Sequence, residues 1–326
     1  MKPILQIENL TTTFPGAKGR IPVVDNISLQ INAGEIVSLV GESGSGKSMT
    51  AFSSMRLVPK PGAIDPSSRI LLEGKDVLKV SVGEMRDIRG KQMAMIFQEP
   101  MTSLNPVQTV GKQVVEAIRL HEKVSFKEAR NRTITLFEQV GIPDAAHRFS
   151  VYPHQLSGGL KQRIMIAMAL SMRSKFLIAD EPTTALDVTV QAQILDLLRQ
   201  LRDEMGTAIL LITHDLGVVN EVADRVAVMY AGKIVERGSR LDILHNPRHP
   251  YTKGLLQSIP GHSTRGKRLS EIPGVVPPAS EWPKGCRFST RCGNVFDPCH
   301  DTQPQEISLD NSHSAACHLV AKEEKN

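Results

Sequence analysis

Three short runs are apolar at consecutive rather than alternating positions: residues 35–41 (EIVSLVG), 175–181 (KFLIADE) and 208–215 (AILLITHD). Such a run predicts a strand covered on both faces, as the strands of a parallel sheet are when helices flank them. Stretches with helical spacing follow the runs, so the pattern predicts an α/β fold with a mainly parallel sheet. Beyond the third run, residues 225–238 (RVAVMYAGKIVERG) alternate around Ala231-Gly232. That predicts a β-hairpin, an antiparallel portion capping the end of the sheet.

Between about residues 100 and 157 no comparable strand occurs. Two segments, VGKQVVEAIRLHEKV and SFKEARNRTITLFEQVG, carry helical spacing instead, the second opening at a candidate cap, Ser125. This predicts a helical subdomain of about residues 100–165 inserted into a first domain of residues 1–250. After about residue 245 the chain turns Pro- and Gly-rich with few periodic runs. Residues 251–326 therefore read as a small irregular extension held together by something other than a large core.

With 326 residues and 40% apolar composition, the chain is long enough for about two globular domains. Lys and Arg number 39 against 34 Asp and Glu, a milder excess than a dedicated nucleic-acid binder carries. The stretch MKPILQIENLTTT lacks the apolar centre of a secretory signal, and the longest uncharged apolar run, residues 164–172, is about half a membrane span. The expectation is a soluble or peripheral protein on the cytoplasmic side. All four cysteines, Cys286, Cys292, Cys299 and Cys317, lie close to the end in the pattern C-x5-C-x6-C-x17-C. In a reduced compartment this leaves metal binding or free thiols rather than disulfides.

The sharpest chemical signal is residues 41–48, GESGSGKS, placed after one buried strand and before a helical stretch. Backbone N–H groups of residues 43–47 can wrap phosphates, with the glycines letting the chain turn and the helix N-terminus adding positive partial charge. Lys47 would reach the β- and γ-phosphates, and the Ser48 hydroxyl would ligate magnesium. The bland alternative is a Gly/Ser turn that happens to hold a lysine; the strand–loop–helix context argues against it. Residues 176–180, FLIAD, deliver Asp180 at a strand's carboxyl end to hold the magnesium shell, and Glu181 beside it is placed to activate water.

In order along the chain, these elements resemble the ATP-binding subunits of ATP-binding cassette (ABC) transporters across nearly all of residues 4–250. The resemblance implies that Phe14 stacks on adenine and that Gly41, Glu42, Ser43, Gly44, Ser45, Gly46, Lys47 and Ser48 form the Walker A loop. It makes Gln98, in IFQEP, the Q-loop residue, sharing magnesium with Ser48 and Asp180. Asp180 and Glu181 become the Walker B carboxylates, and His214, in ITHD, the switch histidine acting with Glu181 and Gln98 in catalysis. Leu156, Ser157, Gly158, Gly159 and Gln162 lie in the signature, LSGGLKQR, and Ala185, Leu186 and Asp187 in the D-loop, TALD. Leu160 replaces a frequent signature glutamine and Thr184 the usual D-loop serine. The similarity extends to the dipeptide, oligopeptide and nickel uptake branch through MTSLNP, YPHQLSGG, RHPYT and GCRFSTRC, with Glu99 where aspartate is frequent.

What this implies is an ATP hydrolase energising uptake of di- or oligopeptides, peripheral to the cytoplasmic face of the inner membrane. Two ATPase subunits would face head to tail, the second a related or identical chain, each ATP lying between one chain's phosphate loop and the other's signature. Two transmembrane permease subunits and an extracytoplasmic substrate-binding protein are the further implied partners; nucleic acid is not. The cysteine spacing lacks the close C-x2-C pairs both of common zinc modules and of ordinary ferredoxin runs. The branch resemblance implies a four-iron, four-sulfur cluster on Cys286, Cys292, Cys299 and Cys317, with zinc or free thiols as the alternatives and His300, His313 and His318 as substitute zinc ligands.

Two other readings compete. A soluble ATP-binding cassette protein acting on DNA or ribosomes typically has two cassettes or a long coiled coil, and one phosphate loop without sustained heptads is present here. A P-loop kinase or GTPase gives the signature no role, and no N-K-x-D guanine reader occurs. Within the uptake branch, nickel or another small solute remains open as substrate.

Overall fold

The computed structural model describes residues 3–17, 19–98, 103–184, 186–258, 271–310 and 312–324. In chain order the elements are β1 (Pro3–Gly16), β2 (Gly19–Asn32), β3 (Ile36–Val40), α1 (Lys47–Ser54), β4 (Ala63–Ile64), β5 (Arg69–Leu72), β6 (Lys75–Asp76), α2 (Val82–Lys91) and β7 (Met93–Ile96). A helical stretch follows with α3 (Val110–His121), α4 (Phe126–Gln139) and α5 (Gly158–Leu170). Then come β8 (Phe176–Asp180), α6 (Val188–Met205), β9 (Ala208–Thr213), α7 (Leu216–Val222), β10 (Arg225–Tyr230), β11 (Lys233–Ser239), α8 (Arg240–His245) and α9 (Pro250–Gln257). The extension adds β12 (Glu306–Ser308), β13 (Ser314–Ala316) and α10 (His318–Glu323).

Two compact units form, neither contiguous in sequence. The first contains Ile31–Glu35 and Lys79–Leu211 with Met1–Ile4. Here β7 and β8 pair in parallel, and every residue of both is buried, as their unbroken apolar runs require. The helical stretch lies in this unit. Helix α4 buries Ala129, Thr133 and Phe137, spaced four apart on one face, and starts where the Ser125 hydroxyl accepts the Glu128 N–H at 3.2 Å. Helix α3 buries Val110, Val114 and Ile118 at the same spacing.

The second unit contains Leu5–Gln30, Ile36–Leu78 and Ile212–Asn326. Its first sheet is antiparallel, in the order β2-β1-β5-β6 with β4 on β1. The long strands β1 and β2 alternate on either side of a left-handed residue, Asn9 in one and Asn26 in the other, burying Leu5, Ile7, Leu10 and Thr12 from β1 and Val24, Ile27 and Leu29 from β2. Its second set of strands places β10 parallel to β3 and antiparallel to β11. The expected hairpin is present, turning at Ala231 and Gly232, both at positive φ. It does not end the sheet, however: β13 pairs with β11, and β12 with β13. The extension is irregular over much of its length, yet Tyr251 and Phe288 also share a buried cluster with Val40, Val228 and Tyr230, so an apolar core joins it to the strands of this unit.

Candidate functional site

The phosphate loop connects β3 to α1 within the second unit. Gly41 sits at φ 154°, where a Cβ would lie 2.1 Å from the Met229 carbonyl oxygen; at Gly46, φ 106°, a Cβ would lie 2.8 Å from the Val23 oxygen. Both positions therefore demand glycine, for conformation and for room. The register shift of β10 at Val228/Met229 stands against this loop. Lys47 is buried, its Nζ donating to the carbonyls of Gly41 at 2.7 Å and Glu42 at 3.0 Å, so its ammonium lies across the loop. The Ser45 hydroxyl is buried without a hydrogen-bond partner among the described residues, and Ser43 and Gly44 are exposed. Ser48 is half-buried on the first turn of α1.

Three contacts anchor the loop from outside. Gly232 donates its N–H to the Ser45 carbonyl at 2.8 Å. The Glu42 N–H donates to the Tyr251 hydroxyl at 2.8 Å. Arg291 grips the Glu42 carboxylate with both terminal nitrogens, at 2.6 and 3.1 Å. Sequence reading placed Tyr251 and Arg291 only within branch-marking motifs, RHPYT and GCRFSTRC. At separations of 209 and 249 residues, no local pattern connects them to the loop.

The carboxylates occupy the first unit. Strand β8 ends at the fully buried Asp180. Glu181 follows at φ 47°, a left-handed conformation that costs a non-glycine residue on the order of 1–3 kcal/mol and recurs at functional sites. Gln98 donates its side-chain amide to Glu181 Oε2 at 2.9 Å, and Thr184 donates its hydroxyl to the same oxygen at 2.9 Å. The structure thus brings Gln98 and Thr184 onto Glu181, the residue that follows Asp180.

The signature begins helix α5 in the same unit. Ser157 is its cap, accepting the Leu160 N–H at 3.4 Å, and Leu156 is buried just before it. Ser157 and Gly158 are exposed, and a Cβ on Gly158 would meet nothing within 4 Å. Gln162 is buried and donates to the Pro182 carbonyl at 2.8 Å, tying this helix to the turn that carries Glu181. Gly159 faces Leu186, and Asp187 caps α6 by accepting the Val190 N–H at 2.9 Å. Ala185 and Glu99 lie outside the described residues. His214 is exposed after β9, immediately before Asp215, which caps α7. Phe14 is half-buried at the end of β1 beside Gly62.

None of the four cysteines is disulfide-bonded. The Cys286 N–H donates to the Cys299 carbonyl at 2.9 Å, which folds the segment back on itself. Burial, reinforced by the neighbouring Cys317, Cys299 and Cys292, pushes the Cys286 thiol up to about 11, while the Phe288 N–H opposes it. Burial raises Cys292 and Cys317 likewise, opposed by the N–H groups of Asn294 and of Val320 and Leu319. Four converging thiols with backbone N–H groups directed at three of them suit a thiolate-bound group. Among the described residues the one set of three or more His, Cys, Asp or Glu ligand atoms mutually within 4.8 Å is Asp242, Asp310 and His313. The four sulfurs do not supply such a set.

Known proteins match along the whole chain. Residues 24–184 match the ABC transporter family, and residues 235–299 match the oligopeptide/dipeptide transporter C-terminal region. The oligopeptide transport ATP-binding protein AppD of Bacillus subtilis is 48% identical over 323 residues, covering 99% of this chain and 98% of its own. The dipeptide transport ATP-binding protein DppD of the same organism is 48% identical, covering 98% and 95%. Among solved structures, the ATP-binding cassette MJ0796, dimeric in a post-hydrolysis state with ADP and Pi, superposes with a TM-score of 0.65 at 27% identity. That superposition covers 72% of this chain and 98% of the other.

Proposed function

This chain belongs to the ATP-binding subunits of ABC transporters, and we propose that it hydrolyses ATP to energise uptake of di- or oligopeptides across the cytoplasmic membrane. Near-full-length likeness to peptide transport ATPases supports the substrate class. The observation that carries the chemistry is Glu181, next to the buried Asp180 and oriented by Gln98 and Thr184.

In this reading the amides of the phosphate loop and Lys47 bind the β- and γ-phosphates, Phe14 stacks on adenine, and Glu181 takes a proton from the attacking water. Ser48, Gln98 and Asp180 would hold a magnesium ion, which would neutralise charge on the phosphates. His214 contacts the γ-phosphate. Ser157 and Gly158, exposed at the start of α5, together with Gly159 close on the nucleotide of a second ATPase chain, while Leu186 and Asp187 line the same junction. A γ-phosphate held between two helix termini draws two chains together, and hydrolysis releases them.

No helix among the described residues is long and apolar enough to cross a membrane. Two permease subunits supply the channel, and the helical stretch around α3 and α4 docks on them, which makes the subunit peripheral. An extracytoplasmic binding protein delivers the peptide. We assign the nucleotide chemistry to residues 1–250 and a stapling role to residues 251–326. There Cys286, Cys292, Cys299 and Cys317 would hold a four-iron, four-sulfur cluster in preference to zinc, a reading supported by the likeness of residues 235–299 to the oligopeptide/dipeptide transporter C-terminal region and by the backbone amides directed at three of the sulfurs.

The test is reconstitution with its permease pair in vesicles. Peptide-loaded binding protein is expected to stimulate ATP hydrolysis severalfold; stimulation by a nickel-loaded binding protein instead would move the substrate assignment. Anaerobic purification should yield brown protein with about four irons per chain. Colourless protein with stoichiometric zinc would refute the cluster.

A further inference from the structure

The seven residues from Cys286 to Cys292 do more than carry thiols. Arg291 is buried, and its guanidinium is filled: Nε donates to the Pro273 carbonyl at 2.8 Å, Nη2 to Gly274 at 3.2 Å, and the two terminal nitrogens to Glu42. Phe288 packs edge-on to Tyr230, ring centres 5.2 Å apart, and beside Tyr251 at 5.4 Å. Tyr251 in turn accepts the Glu42 N–H. Arg287 stacks over Trp282 at 3.8 Å and donates to the Ala231 carbonyl, in the turn whose next residue, Gly232, donates to Ser45. Three side chains between two cysteines thus converge on the phosphate loop, from the same unit.

Electrostatics sharpen the role of one of them. Glu42 lies inside a loop built to receive a polyphosphate, and an unpaired carboxylate there repels the ligand. A buried, bidentate arginine cancels that charge and fixes the carboxylate's direction, with a geometry that lysine does not reproduce. We propose that Arg291 is a positioning residue for ATP: it neutralises Glu42 and holds the loop from the cysteine segment, so the extension sets nucleotide affinity. The inference rests on the reading that this loop binds ATP, which Lys47→Ala tests separately.

The experiment is a double-mutant cycle in the full chain, reading ATP dissociation constant, kcat and melting temperature. Arg291→Gln is expected to raise the ATP dissociation constant about tenfold while kcat stays within about twofold, with a loss that shrinks as salt screens the exposed carboxylate. Arg291→Lys recovers only part. Glu42→Gln/Arg291→Gln recovers most of the loss, because no charge remains to neutralise. If Arg291→Gln does not fold, Glu42→Gln alone decides, and it should bind ATP severalfold more tightly. Unchanged affinity in Arg291→Gln, a loss the double substitution does not relieve, or weaker binding in Glu42→Gln overturns the proposal. Loss of binding in Lys47→Ala with a failed cycle rejects this inference while leaving the site intact.

Discussion

Gln98 and Glu181, 83 positions apart, are joined by a side-chain amide donating to the carboxylate at 2.9 Å, and Thr184 shares the same oxygen. In the proposed reaction Glu181 is the general base, and two donors on one oxygen fix the direction of its carboxylate. Glu181→Gln keeps the size and removes the proton acceptor. Turnover should fall by about 10²–10⁴-fold while ATP binding persists and an ATP-bound dimer accumulates in size-exclusion chromatography. Wild-type turnover would remove Glu181 from the reaction.

Lys47 donates to the loop's own carbonyls, of Gly41 at 2.7 Å and Glu42 at 3.0 Å, which holds its ammonium across the loop. Lys47→Ala should weaken ATP binding by about two orders of magnitude, roughly 3 kcal/mol, measured by titration with a fluorescent nucleotide. A melting temperature within a few degrees of the parent assigns the loss to binding rather than to folding.

Ser157→Arg adds bulk where Ser157 and Gly158 meet open space, so the substituted chain should still fold, losing only its cap at about 1 kcal/mol. Mixed dimers of substituted and parent chains report which site suffers. The expected loss is at the parent chain's phosphate loop, with the substituted chain's own loop spared when the partner signature is intact. The opposite distribution contradicts the head-to-tail arrangement.

His249 is fully buried, accepts the Tyr251 N–H at 3.0 Å as the cap of α9, and is pushed down to about 3 by burial and then by Lys253. The unfolded chain takes up a proton there below the ordinary histidine value of 6.5, whereas the folded chain stays neutral until about 3. Between these values the unfolded state binds more protons, so stability falls as pH falls, by up to about 1.4 kcal/mol per pH unit from this group. Denaturant unfolding at several pH values checks it. His249→Asn keeps a capping acceptor and should flatten the slope across that window; an unchanged slope assigns acid sensitivity to other groups.

The elements that carry the carboxylates and the loop of residues 41–48 are local patterns, and that is why they are legible in the sequence. The buried runs that became β3, β8 and β9, the cap at Ser125 and the loop of residues 41–48 each need only neighbours in sequence to be recognised. The long strands β1 and β2 passed unnoticed because threonines and charges interrupt their alternation, and pairing rather than composition makes them strands. Strands β12 and β13, three residues each, have no apolar run at all. Arg291 and Tyr251 escaped for a different reason: what they hold lies more than two hundred residues away, and an ion pair has no period.

The added strands β13 and β12 bear on how this protein could be taken apart. Without them, the seven residues of β11 would end the sheet as an unpaired rim, a template for another molecule's backbone. In their place stands β12, short and carrying exposed Glu306 and Ser308, with Glu306 bound to Arg237 of β11. A chain cut after residue 250 would lose this blunt margin together with the aromatic wedge of Tyr251 and Phe288, and should precipitate rather than survive as a smaller ATPase. The catalytic portion is in that sense not portable: the segment that marks its transport branch also covers the edge of its sheet.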